Sequence, residues 1–198
     1  MVAAASLIRS PHGPAALLLG LTGLAWFLLE VRQGLRRRPG AVRADRGSLM
    51  ALRGFAFAGS AVAIFGAEVV PPAAFSPVDV ASWLALVFMW CGVGLRLWCF
   101  ITLGRYFTLT VQTSPDQPVI TAGPYRLLRH PSYAGILLAT FGVSLLFGNW
   151  VSTIGLTALV AAGVAYRIRV EERALLETLG DSYRDYAAGR RRLVPFVW

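Results

Sequence analysis

The stretch TAGPYRLLRHPSYAG, residues 121–135, separates two long apolar parts of the chain. Gly123-Pro124 is typical of a turn, and Pro131 is a favourable first residue of a helix, where no backbone N–H is needed. The free amides of that first helical turn favour a negative charge or another hydrogen-bond acceptor. Aromatic faces with polar tips lie close by in the sequence: Tyr125, His130 and Tyr133. The segment therefore predicts a ligand pocket at a helix mouth beside a membrane.

The composition is that of an integral membrane protein. Of the 198 residues, 56% are hydrophobic and only 15% are charged, and the mean hydropathy is +0.60. A chain of this length has room for roughly four to six spans of about 20 residues each. We therefore expect one membrane domain over residues 1–198, with three N-terminal spans in residues 1–102. A loop, a helical hairpin and a C-terminal helix would occupy residues 103–198.

The apolar residues fall into blocks that predict an all-α fold with about five transmembrane helices. The blocks cover residues 14–31, 49–70, 83–103, 133–147 and 151–166. The last two are short and read as a helical hairpin, which length alone does not show to cross fully. Beyond Tyr166 the pattern becomes that of an amphipathic helix leaving the membrane, with Gly180 as a plausible end.

All the positive charge of the chain comes from arginine, since there is no lysine, and the formal net charge is +9. Arginines cluster in the loop between the first two blocks, so the positive-inside rule makes that loop cytoplasmic and the N-terminus external. The C-terminus and the pocket then face the cytoplasm. We expect the charge to bind membrane lipids rather than nucleic acid. The high arginine, alanine and glycine content is typical of a high-GC bacterium, which indicates the bacterial inner membrane.

Two arginines stand inside apolar blocks, where a lone charge is costly. Arg53 lies one turn into the second block, and we expect its side chain to extend back to the interface. Arg96 has two open interpretations, an interfacial side chain or a partner of the pocket or of a substrate head group. Two cysteines and two histidines give no zinc spacing, so no metal site is expected. Gly92 and Gly94 predict close helix packing.

The second half of the chain resembles a known family. The segments that carry the resemblance are LGRYFTLTVQ, GPYRLLRHPSYAG, RIRVEERALLETLGDSYRDY and VPF, within residues 103–196. They are similar to isoprenylcysteine carboxyl methyltransferases and to related membrane methyltransferases, including those that act on phospholipid amines. The resemblance implies transfer of a methyl group from S-adenosylmethionine to a lipophilic acceptor, in a cytosol-facing pocket built by helix ends. It implies no Rossmann domain, and the sequence has no G-x-G-x-x-G after a strand.

The resemblance also assigns site residues. Those implied to bind the cofactor are Gln112, Gln117, Pro118, Val119, Ile120, Tyr125, His130, Pro131, Ser132, Tyr133 and Glu171. Arg167 is implied to bind the substrate and, with Glu171, to form the catalytic pair. Glu171 would face the positive charges of the cofactor, and Arg167 would hold an acceptor carboxylate. A carboxylate attacks without a general base, whereas an amine would need one, for which His130 and Glu172 are the candidates.

Several alternatives remain open at the level of sequence. A prenylcysteine carboxylate is the favoured acceptor, beside N-methylation of a phospholipid amine and S- or O-methylation of a small lipophilic molecule. Arg167 and Glu171, four residues apart, could instead be an ordinary ion pair on a helix surface. A membrane ligand-binding module without turnover is the non-enzymatic alternative. A transporter is disfavoured, because the charges gather at one end and no internal repeat is found. The sequence carries no signal for an oligomeric state.

Overall fold

The computed structural model describes residues 14–34, 42–75, 78–114 and 117–193, and it is mostly helical. The helices are α1 (Pro14–Gly34), α2 (Ser48–Val69), α3 (Val78–Leu103), α4 (Pro131–Leu145), α5 (Trp150–Leu179) and α6 (Asp181–Ala188). Each of the five predicted apolar blocks forms a helix, which confirms the fold class. Among the described residues, segments of α2, α3 and α5 are long and apolar enough to cross a membrane, whereas α4 has only 15 residues.

The boundaries of α4 and α5 agree with the predicted signals. His130 immediately precedes α4, which begins at Pro131. α5 continues without a break from the apolar block into the amphipathic segment, and it ends at Gly180, whose positive φ of 54° favours glycine. The start of α5 is fixed by Asn149, whose Oδ1 accepts from the Val151 backbone N–H at 2.8 Å. The side-chain amide of Asn149 also donates to the Val70 carbonyl at 2.9 Å, which ties α5 to the end of α2.

The helices pack in two close pairs, α2 with α5 and α3 with α4, and α1 lies against α3. Gly92 is the point of closest approach between α3 and α4. A Cβ atom at Gly92 would lie 2.5 Å from the backbone nitrogen of Ala139 and 2.5 Å from the carbonyl oxygen of Gly135. The predicted packing role of Gly92 is confirmed, but that of Gly94 is wrong. Gly94 is exposed on the other side of α3, and nothing lies within 4 Å of a Cβ there.

Gly92→Ala is expected to destabilise the protein by about 1 to 3 kcal/mol, because the methyl group meets backbone atoms that cannot move independently of their helix. Gly94→Ala is the matched control on the same helix, and we expect it to leave stability unchanged or slightly higher. Thermal unfolding of the purified proteins in detergent measures both. Equal melting temperatures for the two variants would contradict the packing described for α3 and α4.

Two loops and the C-terminal segment close one end of the helix bundle. Strands β1 (Val42–Arg43) and β2 (Gln112–Thr113) form a two-residue antiparallel pair that joins the loop before α2 to the loop after α3. On the other side, the N–H groups of residues 129 and 130 donate to the carbonyl oxygens of residues 191 and 192 at 2.7 and 3.0 Å. The Arg36 to Arg38 cluster and the VPF segment lie outside the described residues.

Candidate active site

The closed end of the bundle contains a cavity of about 420 Å³, within the range of small-molecule sites. Helix ends and the loop after α3 form its wall. The predicted site residues that line it are Gln112, Gln117, Pro118, Val119, Ile120, Tyr125, His130, Ser132, Tyr133, Arg167 and Glu171. Pro131 is buried as the first residue of α4 and is not among the lining residues. Residues from two separate segments of sequence therefore meet at one place.

Arg167 is the most connected side chain of this site, and only 3% of it is exposed. Its Nη1 donates to Asp45 Oδ1 and to Ser48 Oγ, both at 2.9 Å. Its Nε donates to the Tyr133 hydroxyl at 2.8 Å, and its Nη2 donates to the Leu109 carbonyl. Four of the five N–H groups of the guanidinium are thus engaged. Arg167 joins α5 to α2, to α4 and to the loop after α3.

Glu171 is not paired directly with Arg167. The Tyr133 hydroxyl stands between them, donating to Glu171 Oε2 at 2.5 Å while accepting from Arg167. The interpretation as an ordinary surface ion pair is wrong, because Arg167 is buried and its ionic partner is Asp45. Within the described residues, Glu171 has no ion pair, and its carboxylate lines the cavity. It is therefore available to a positively charged ligand.

Glu172, the next residue along α5, faces a different set of partners. Its Oε1 accepts from His130 Nε2 at 3.2 Å and forms an ion pair with Arg129, whose Nη1 lies 2.9 Å away. Its Oε2 accepts from Arg192 at 2.8 and 3.0 Å. Glu172 is 8% exposed and is not among the residues that line the cavity. Its contacts connect the start of α4 with the C-terminal segment, and it is not in the cavity wall, where a base for an acceptor would have to lie.

The comparisons with known proteins identify a similar family and a similar fold. Residues 83–177 match the model of the isoprenylcysteine carboxyl methyltransferase family. This match covers just under half of the chain and makes the chain similar to the family over that segment. A solved structure of the eukaryotic intramembrane Ras methyltransferase of the same family has a TM-score of 0.60, at 22% sequence identity, covering 94% of this chain and 69% of that one. This likeness establishes the fold.

Curated relatives named as protein-S-isoprenylcysteine O-methyltransferases match somewhat more than half of the chain. A probable protein-S-isoprenylcysteine O-methyltransferase of Oryza sativa subsp. indica is 32% identical over 118 residues, which is 59% of this chain and 62% of the relative. Protein-S-isoprenylcysteine O-methyltransferase A of Arabidopsis thaliana is 35% identical over 114 residues, 57% of this chain and 58% of the relative. The chain thus covers about three fifths of these relatives.

Two acidic residues outside residues 83–177 form ion pairs with arginines of the site, and neither was predicted from the sequence. Asp45, just before α2, accepts from the backbone N–H groups of Leu49 and Val111, each at 3.2 Å. Burial alone would raise the pKa of Asp45, but these hydrogen bonds and Arg167 outweigh burial and lower the pKa. An aspartate just ahead of an apolar helical run is a signal that could have drawn attention to Asp45.

Glu30 of α1 is the second missed residue, and it decides between the two interpretations of Arg96. Arg96 is 5% exposed and forms an ion pair with Glu30, with Nη2 donating to Oε2 at 2.9 Å. Its Nη1 donates to Ser132 Oγ at 2.6 Å, and its guanidinium lies 5.1 Å from the centre of the Phe100 ring. Arg96 is therefore a partner of the pocket. A glutamate within an apolar block was the available signal, because such charges are seldom unpaired.

Proposed function

We propose that the protein is an S-adenosylmethionine-dependent membrane methyltransferase that esterifies the carboxylate of a lipophilic acceptor, such as prenylcysteine or an analogue. The observation that carries this proposal is the unpaired carboxylate of Glu171 in a cavity that also has an aromatic wall and a long apolar wall. The similarity of residues 83–177 to the methyltransferase family supports the reaction class. When bound, S-adenosylmethionine supplies an activated methyl group on a positively charged sulfur.

The residues of the cavity fit such a cofactor. Glu171 would face its cationic groups, with the carboxylate oriented by the hydroxyl of Tyr133. Tyr125 adds an aromatic face from the same side of the cavity. The loop residues 117–120 would contact the base through backbone groups, and Gln112 would add a side-chain amide. His130 and Ser132 line the cavity at the start of α4 and would contact the cofactor there, whereas Pro131 is buried between them and would only position them.

The remaining wall fits a lipophilic acceptor. Apolar side chains line the cavity from four helices: Phe27, Val31, Leu49, Leu52, Leu103 and Ile136. They belong to α1, α2, α3 and α4, so a hydrocarbon tail can lie against apolar side chains while its head group faces the polar end of the cavity. Arg167, predicted to bind the substrate, has one N–H group left for this purpose.

A carboxylate is favoured over an amine as the acceptor. An amine must lose a proton during methylation, which requires a base within reach of the acceptor. Of the two candidates, Glu172 does not line the cavity, and His130 is hydrogen-bonded to Glu172. A carboxylate needs only alignment and removal of water, since it is already ionised at neutral pH. We further propose that the site faces the cytosol of a bacterial inner membrane.

Calorimetric titration of the detergent-purified protein with S-adenosylmethionine and S-adenosylhomocysteine tests the cofactor assignment. Glu171→Gln is expected to weaken binding about tenfold or more, because a charge-assisted contact is lost without a change of shape. Glu177→Gln is the matched control, since Glu177 is exposed on the same helix and does not line the cavity. Failure of the folded wild-type protein to bind either compound would remove the proposal.

Transfer of a labelled methyl group tests the acceptor. Incubation with N-acetyl-S-farnesylcysteine should give a base-labile methyl ester, whereas the primary amide of the same compound should remain unlabelled. Labelling of phospholipid amines instead would favour N-methylation. Binding of the cofactor without transfer to any lipid extract would favour the ligand-binding module.

A further inference from the structure

The charged side chains of the cavity wall differ in whether they are already neutralised. The acidic, basic and histidine side chains that line it are Glu30, Arg53, Arg96, Arg129, His130, Arg167 and Glu171. Five of them belong to ion pairs: Arg96 with Glu30, Arg129 and His130 with Glu172, and Arg167 with Asp45. In the part of the chain that the structure describes, the two without an ion pair are Arg53 and Glu171, one cation and one anion.

Arg53 lies on α2 with its side chain exposed. Its closest polar contact is weak, with Nη1 at 3.9 Å from Met50 Sδ. Ser48 binds Arg167, and Arg53 lies five residues after Ser48 on the same helix. Arg53 is therefore about 7.5 Å further along the axis of α2. It also lies within Ser48–Gly66, a segment apolar enough to cross a membrane. An unpaired charge at such a position is costly unless a ligand or water meets it.

The surroundings of Arg53 favour an anion that carries a hydrocarbon tail. Leu49 and Leu52, on the same helix, line the same cavity. Leu52 packs against Gly163 of α5, where its Cδ1 lies 3.0 Å from the position of a Cβ, so this part of α2 is fixed against the helix that carries Arg167. A free guanidinium beside apolar side chains matches the head and tail of a lipophilic carboxylate.

Arg167 is a poor alternative for the same task. Its Nη1 has both hydrogens donated, to Asp45 and Ser48, and its Nε donates to Tyr133. Neither edge of the guanidinium therefore has two free parallel N–H groups, which a bidentate carboxylate contact requires. Arg53, by contrast, forms no ion pair with any other residue that the structure describes.

We infer that Arg53 binds the carboxylate of the methyl acceptor, and that Arg167 is a positioning residue that holds Tyr133 and Asp45. The inference rests on the proposed function. In the reaction, a carboxylate oxygen forms a bond to the methyl carbon while the bond from that carbon to sulfur breaks. The electron pair stays on sulfur, which becomes a neutral thioether, and no proton is transferred. Arg53 acts on the acceptor alone, so its loss affects acceptor binding and leaves cofactor binding unchanged.

The test compares the affinity of N-acetyl-S-farnesylcysteine with that of its primary amide, by titration in detergent in the presence and absence of S-adenosylhomocysteine. The wild-type protein should prefer the acid about tenfold or more. Arg53→Gln should lose that preference, while its affinity for the amide and for S-adenosylhomocysteine stays that of the wild type. Arg32→Gln is the matched control, because it removes the same charge near the end of α1 without altering the cavity wall.

Retention of the acid preference in Arg53→Gln would overturn the inference, as would a wild-type protein that binds neither probe or binds both equally. Equal loss in Arg53→Gln and Arg32→Gln would also overturn it, since that result reports general attraction of anions. The proposed function is judged separately by S-adenosylhomocysteine binding and by labelled methyl transfer. Methyl transfer with an unchanged acceptor KM in Arg53→Gln would leave the function standing and remove the role of Arg53.

Discussion

Arg167→Ala is expected to lower the free energy of unfolding by about 3 to 5 kcal/mol and to abolish measurable cofactor binding. The variant leaves the buried carboxylate of Asp45 without its ionic partner, which is among the costliest single changes in a protein interior. It also removes the donor that orients Tyr133, and through Tyr133 the carboxylate of Glu171. Thermal unfolding and calorimetric titration in detergent measure the two effects.

A double variant separates the effect of Arg167 on stability from its effect on cofactor binding. Replacing both members of the pair, as Asp45→Asn with Arg167→Met, removes the uncompensated charge, so most of the stability should return. Cofactor affinity should stay low, because Tyr133 still lacks its donor. Arg169→Ala, on an exposed position of the same helix, should change neither quantity. Full recovery of affinity in the double variant would show that Arg167 matters only for stability.

Glu172→Gln is expected to cost about 3 kcal/mol and to release the C-terminal segment from the start of α4. The carboxylate neutralises two arginines from different parts of the chain, and the amide leaves Arg129 and Arg192 facing each other without a counter-charge. Because Arg192 holds this segment against residues 128–130, limited trypsin digestion should cleave after residues 190–192 much faster than in the wild type.

The matched control is Glu177→Gln, which removes an exposed carboxylate from the same helix and should leave the digestion pattern unchanged. Bound S-adenosylhomocysteine should slow cleavage in the wild type, since His130 lines the cavity and donates its backbone N–H to the Arg192 carbonyl. Identical digestion of Glu172→Gln and the wild type would contradict the holding role of Glu172.

Much of the fold was predictable because the sequence signals for a helix lie within the helix or next to it. Apolar periodicity, Pro131 at a helix start and Gly180 at a helix end are signals within a few residues of each other, and the structure confirms all three. The family resemblance predicted that residues 121–135 and the segment with Arg167 and Glu171 form one pocket. Residues of both segments line the cavity. What these signals share is that they depend on the nearest neighbours in sequence.

The partners of the charged residues were not predictable in the same way. Asp45 and Arg167 are 122 positions apart, and Glu30 and Arg96 are 66 apart, so their pairing depends on how whole helices pack. The sequence suggested Glu171 as the partner of Arg167 because the two are four residues apart. In the structure Arg167 is buried, and its ionic partner is Asp45, just before α2. Gly92 and Gly94 illustrate the same limit, since these two glycines, only two residues apart, lie on opposite sides of α3, one packed and one exposed.

The pairing of residues 129 and 130 with residues 191 and 192 has a consequence for biosynthesis. The wall of the pocket at the start of α4 acquires its backbone partners only after translation has passed residue 192. The earlier helices are therefore synthesised before this wall of the pocket can be complete. A ribosome stalled within α5 would carry a nascent chain with α1 to α4 already synthesised and the adjoining site still open.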